Sequence, residues 1–180
     1  MDLVGASVRL RAAEPGDAAR LAPIVSDPRV AVWGGIESRL PVTEDRIKRD
    51  LTTTEPGRTR WVIDSREDGV ALGSASIFDQ DFRNRHAWFA IYLGPPERWG
   101  HGYGSEATRL ATAWAFGELG MAKVYLQVLE ANQHAISCYR RAGFEVEAVL
   151  PRDHLLGGRF VTGLVMAAYP PPTSNPPPSA

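Results

Sequence analysis

The chain has 180 residues, 44% of them apolar and 23% charged, with a formal net charge of −1. That length suits one domain with a sizeable core, and the composition is ordinary for a globular fold in water. Near-neutral charge without a basic or acidic block points away from nucleic acid and anionic membrane surfaces. A single cysteine, Cys138, excludes intramolecular disulfides and thiolate metal clusters and suits a reducing, cytoplasmic setting.

The first residues, MDLVGASVRLRAAEPGD, lack the basic, apolar and small-residue order of a signal peptide. No apolar run approaches the ~18 residues of a membrane span. His86, His101, His134 and His154 are scattered without ligand spacing, so no metal is expected.

In chain order, Val8 to Arg11 alternates apolar with charged, which predicts a half-buried strand. EPGDAARLAPIVSD reads as a helix with Pro15 in its first turn and Leu21, Ile24 and Val25 at helical spacing. PRVAVWGGIESRLP has no clear period and reads as a loop, whereas TEDRIKRDL reads as a short helix capped by Thr43. Strands are expected at Arg60 to Asp64, Ala71 to Phe78 and His86 to Leu93, with Asp68-Gly69 as a hairpin turn and DQDFRNR as the next.

From Ser105, the residues Ala107, Leu110, Ala111, Trp114 and Ala115 fall on one helix face. KVYLQVL is then a strand, and NQHAISCYRRAG is a helix opened by Asn132 and stopped by Gly143. FEVEAVL and RFVTGLVMAAY close the fold as strands. The tail PPPTSNPPPSA cannot bury apolar surface and reads as a disordered appendage. The expected organisation is one domain over residues 1–169 and a Pro-rich tail over 170–180. Its class is α/β (mixed, α+β-like), with an antiparallel first half.

Gly100, Gly102 and Gly104 alternate directly before the long helix. A P-loop would end in Gly-Lys-Ser/Thr, and Gly104-Ser105-Glu106 does not. A dinucleotide fingerprint would place its third glycine at Ser105. What remains is a turn whose backbone amides feed a helix N-terminus, an arrangement suited to an anion such as a diphosphate. The alternative is a tight strand-to-helix turn with no ligand. Further on, Asn132 and Tyr139 are seven residues apart, about two helical turns, and so share a face. Either they line one pocket, or Asn132 is only a cap and Tyr139 only a packing aromatic.

Together, RWGHGYGSEA and the later N-x-x-A-x-x-x-Y-x-x-x-G-F resemble the GNAT superfamily of acyl-CoA-dependent N-acyltransferases. The resemblance runs from about Val8 to Met166. It is nearest to the branch of ribosomal-protein N-terminal and spermidine acetyltransferases. The implied fold is a twisted, mostly antiparallel sheet of about seven strands, splayed at a central parallel pair and flanked by about four helices. The implied co-substrate is acetyl-CoA, with an amine acceptor, no metal, no nucleic acid, no membrane and a possible homodimer.

The resemblance assigns the coenzyme diphosphate to the backbone around Trp99, Gly100, His101, Gly102, Tyr103, Gly104 and Ser105. The pattern usually begins with Gln or Arg where this chain has Trp99; Arg98 is a substitute source of positive charge. Ile91, Tyr92 and Leu93 would run beside the pantetheine arm, with a backbone amide at Tyr92 or Leu93 facing the thioester carbonyl and the strand splaying after Leu93. Asn132 would hold pantetheine amides or assist Tyr139. Tyr139 would act as general acid towards the leaving thiolate, because a phenol stays protonated near neutrality. Cys138 has no His–Asp partner evident in the sequence and reads as core.

The implied reaction is direct attack of a neutral amine on the thioester through a tetrahedral intermediate. The strand before the loop, HAWFAIYLG, has no carboxylate, so no base is assigned; Glu37, His86, Asp79 and Asp81 have no spacing in their favour, and a water chain serves equally. Trp33 and Glu37 are the expected acceptor-binding residues. Glu106, in the first helical turn, reads as structural. The competing reading is a non-catalytic acyl-CoA sensor on the same scaffold.

Overall fold

Period-two alternation and helical periodicity divide this chain into the elements that build one sheet with helices on both faces. The computed structural model describes residues 2–34, 42–53 and 55–172. The first half holds β1 (Leu3–Val4), β2 (Val8–Ala12), α1 (Asp17–Ser26), α2 (Pro28–Ala31), α3 (Glu44–Thr52), β3 (Thr59–Ser65), β4 (Ala71–Asp81) and β5 (His86–Leu93). The second half holds α4 (Tyr103–Gly117), β6 (Lys123–Leu129), α5 (Gln133–Arg141), β7 (Glu145–Leu156) and β8 (Arg159–Ala168).

The eight strands lie in the order β1-β2-β3-β4-β5-β6-β8-β7. All neighbours pair antiparallel except β5 and β6. The expected class therefore holds, with one strand and one helix more than anticipated. The additions have physical causes. Leu3–Val4 folds back on Arg9–Leu10. Pro28 starts the four-residue α2 inside the expected loop, because the Asp27 side chain accepts from Arg29 N at 2.8 Å and caps it.

Other boundaries shift by a few residues. Helix α1 starts at Asp17 after Gly16, leaving Pro15 outside its first turn. Helix α4 starts at Tyr103 rather than Ser105. Strand β4 runs through Asp79 to Asp81, residues read from sequence as part of a turn. Thr43 caps α3 as expected, accepting from Arg46 N at 3.2 Å. Part of the Pro-rich tail, residues 173–180, lies outside the described residues.

Two apolar clusters fix the helices. On one face, Ala107, Ala111 and Ala115 of α4 are fully buried against Ile63, Ile77, Phe89, Val124 and Met166. Side chains this small let the helix sit close to the sheet. On the other face, Leu21 and Ile24 of α1 and Ile47 of α3 pack on Val62 and Ala71. Among the described residues no helix is long and apolar enough to cross a membrane.

An ion network ties α1 to the first strands. The Arg11 guanidinium donates to Asp17 at 2.6 and 2.8 Å and to Asp64 at 2.6 Å. Arg20 adds contacts of 3.1 Å to each acid. Arg11 holds the Asp17 carboxyl down at about 2, against the opposing effect of burial. Because the folded value is depressed, this contribution is present above the unfolded value of 3.8 and disappears as pH falls through about 2. Asp17→Asn is expected to cost about 2 kcal/mol near neutrality, with the deficit vanishing between about pH 4 and pH 2. Urea unfolding across that range checks this; a deficit independent of pH would contradict it.

Candidate active site

The β5–β6 pair is where the sheet opens. Its parallel register covers only His86↔Lys123, Ala87↔Val124 and Trp88↔Tyr125. Both strands continue, to Leu93 and Leu129, without pairing to each other. The splay therefore begins after Trp88, not after Leu93 as the sequence reading had it. This leaves one edge of Phe89 to Leu93 without a partner strand.

Which amides face that opening follows from alternation. Gly94 N donates to Leu72 O of β4 at 2.8 Å, so the amides of Gly94 and Tyr92 point to β4. Those of Leu93 and Ile91 then point into the splay. Of the two residues expected to offer a donor to an acyl oxygen, Leu93 has the right direction and Tyr92 does not. The Ile91 and Leu93 side chains pack on the α4–α5 face. Tyr92 packs on the opposite face, where burial pushes its phenol up to about 12.

The three glycines around the start of α4 meet different demands. Gly100 and Gly102 both have φ of 86°, the left-handed region, and a β-carbon on either would meet nothing within 4 Å. Gly104 is helical, and a β-carbon there would stand 2.9 Å from Leu93 Cδ1 and 3.0 Å from Cys138 Sγ. It brings the start of α4, the end of β5 and α5 together. The first intrahelical bond is Glu106 N to Gly102 O at 3.1 Å, and Gly102 has no side chain to cap the helix. The N–H groups of Tyr103, Gly104 and Ser105 thus have no intrahelical acceptor, and the helix dipole adds positive potential there. An uncapped, glycine-shaped N-terminus beside an opened sheet fits a diphosphate.

Side chains around the loop are mostly spent on its shape. Trp99 Nε1 donates to Leu93 O at 2.9 Å, folding the indole over the splay-side edge of β5. His101 Nδ1 lies 3.1 Å from Trp99 O, and its ring stacks on Tyr103 at 5.8 Å. Ser105 is buried, with Oγ 3.3 Å from Cys138 O, so only its backbone is available to an anion. Arg98, the expected source of positive charge, pairs with Asp68 instead. Arg141 of α5, which sequence reasoning missed, donates from Nε to Ser105 Oγ at 3.2 Å and places a cation beside the helix start. It stands in the last turn of α5, where a basic residue reads as a response to the helix dipole, and this hid its second role.

Asn132 caps α5, its Oδ1 accepting from Ala135 N at 3.2 Å. Tyr139 is buried at 9% exposure, and no described residue hydrogen-bonds its hydroxyl. Burial, and secondarily the neighbouring Cys138, raises its phenol above the ordinary value. Its ring sits 6.1 Å from Phe144, which is 6.4 Å from Phe89, the first β5 residue past the last parallel pair. Tyr139 therefore belongs to the α5 side of the opening. Glu106 neither faces a ligand nor merely suits the dipole: its carboxylate accepts from Ser7 N at 3.0 Å and from Ala6 N, locking the β1–β2 turn onto α4.

The residues considered as bases do not gather here. His86 and Asp81 contact each other at 3.6 Å, at the closed end of the β5–β6 pair. His86 precedes Leu93 by seven residues, roughly 23 Å along an extended strand. Trp33 is 38% exposed just past α2, and Glu37 lies outside the described residues. Among the described residues no group of three or more His, Cys, Asp or Glu is placed to hold a metal.

Residues 7–145 match the acetyltransferase (GNAT) domain family. The chain belongs to the GNAT family. This GNAT chain is 31% identical over 110 residues to spermidine N(1)-acetyltransferase of Escherichia coli (strain K12), covering 61% of this chain and 58% of that protein. The matched region thus spans little more than half the length of that curated relative. In fold it is similar to spermidine N-acetyltransferase of Vibrio cholerae solved in complex with CoA and spermine. That likeness has a TM-score of 0.80 at 22% identity and covers 90% and 95% of the two chains. A GNAT-family acetyltransferase from Bacillus anthracis gives a TM-score of 0.81 at 15% identity, covering 94% and 98%.

Proposed function

We propose that this GNAT chain is an acetyl-CoA-dependent N-acetyltransferase that moves an acetyl group directly onto a primary amine, of a small molecule or of a protein N-terminus. The observation that carries the reading is the opening of β5 from β6 after Trp88, directly beside the uncapped N-terminus of α4. The family match over residues 7–145 supports it. Among small acceptors, polyamines come first, because the E. coli relative is named for spermidine and the V. cholerae structure contains spermine.

In this reading the amides of Tyr103, Gly104 and Ser105 hold the diphosphate, and Arg141 adds a cation beside it. The Leu93 amide donates to the acyl oxygen as negative charge grows there, an interaction worth about 3 kcal/mol in acyl transfer. The amine attacks in its neutral form: a C–N bond forms, the extra proton on that nitrogen leaves to water, and the C–S bond breaks. Tyr139 donates a hydrogen bond to the departing sulfur. Since burial raises its pKa, Tyr139 stays protonated throughout the working range; any proton it passes to the developing thiolate is replaced from water.

Thiol release from acetyl-CoA over a panel of amines tests the reading. Amine-dependent release is the expected result. Tight coenzyme A binding without release for any amine would favour the non-catalytic sensor.

A further inference from the structure

The sheet face opposite α4 and α5 carries a carboxylate that the coenzyme site does not use. Gln127 of β6 is exposed on that face, and its Nε2 donates to Asp153 Oδ2 of β7. In the sheet order β8 lies between these strands, so the Asp153 side chain must cross it. It crosses at Gly163, where a β-carbon would collide with the carboxylate. Strand β7 is irregular at this place, its register shifting between Leu150 and His154 with Arg152 at φ 58°. A glycine in a strand interior often marks such a close approach, and Gly163 is the one sequence signal for this feature.

Among the described residues, only one oxygen of the carboxylate is engaged. His154 Nδ1 lies 2.7 Å from the same Oδ2, while Oδ1 has no described partner. No lysine or arginine among the described residues pairs with Asp153, whose side chain is 24% exposed. Its level along the sheet matches the opening. Continuing the His86↔Lys123 offset sets Ala90 level with Gln127 and Tyr92 level with Leu129, whose β8 partner is Gly163. Asp153 therefore stands beside the splayed stretch, on the face from which an acceptor approaches if the thioester enters from the α4–α5 side.

We infer that Asp153 anchors a cationic acceptor: it holds one ammonium of a di- or polyamine while another nitrogen of the same molecule meets the thioester. The inference rests on the proposed N-acetyltransferase reading and adds the residue that selects the acceptor. Gln127 is a positioning residue, fixing Oδ2 so that Oδ1 meets the ammonium.

Asp153→Asn keeps the shape and the contact from Gln127 but removes the charge. With spermidine as probe, its KM, and its Kd by calorimetry on the coenzyme A-bound protein, are expected to rise roughly 10- to 100-fold, with kcat within about threefold. Butylamine, which has no second ammonium, should change by less than about twofold, and coenzyme A affinity should not change. Gln127→Ala should shift spermidine KM in the same direction by a smaller factor. Unchanged spermidine KM and Kd, or an equal loss for both amines, overturns the anchor and leaves the acetyltransferase reading intact. A parent protein that fails to bind acetyl-CoA overturns both.

Discussion

Replacing Gly102 with valine is expected to weaken acetyl-CoA binding by about 10- to 100-fold while the fold survives. Gly102 sits at φ 86° in open space, so the added side chain strikes nothing. The cost is conformational: a β-branched residue held in the left-handed region costs about 1–3 kcal/mol. In the free protein the loop escapes that strain by leaving the bound shape, so the cost reappears as lost affinity. Gly104→Ala makes the contrast. Its methyl would press on Leu93 Cδ1 and Cys138 Sγ, so its penalty, about 1 kcal/mol or more, falls on stability in both states. Calorimetry with acetyl-CoA and urea unfolding on both variants separate the two effects. Parent-like affinity in Gly102→Val would remove the loop from the coenzyme site.

Tyr139→Phe is expected to lower kcat by about 100-fold or more, within the range for loss of a proton donor, with coenzyme A affinity unchanged. The same variant should be as stable as the parent or slightly more so. Its hydroxyl makes no hydrogen bond to a described residue, so removing it breaks no contact that holds the fold. This opposition between activity and stability distinguishes a reacting phenol from a packing aromatic. Full activity in Tyr139→Phe would assign the residue to the core alone.

Much of this was legible in the sequence because local physics wrote it. The face of α4 showed in the spacing of Ala107, Ala111 and Ala115, and α5 was bracketed by Asn132 and Gly143. The limits of β6 were those expected, Lys123 to Leu129. What escaped depends on contacts distant in the chain. The splay after Trp88 reflects how far two strands stay paired, which neither strand's pattern records. Gly104 looked like its neighbours Gly100 and Gly102, yet it serves helix packing while they serve backbone conformation. Glu106 looked like a dipole residue because Ala6 and Ser7 lie about a hundred positions away. Arg98 and Arg141 traded roles for the same reason, since Asp68 neutralises the first and Ser105 orients the second.

The central claim is that the uncapped start of α4 grips the diphosphate of an acyl carrier beside the opened β5 edge. Backbone amide resonances followed during titration with coenzyme A test it most directly. The account predicts that the largest shifts fall on residues 100 to 105, on Leu93 and, among side-chain resonances, on the Arg141 guanidinium. Shifts centred elsewhere, or none at saturating coenzyme, would contradict it.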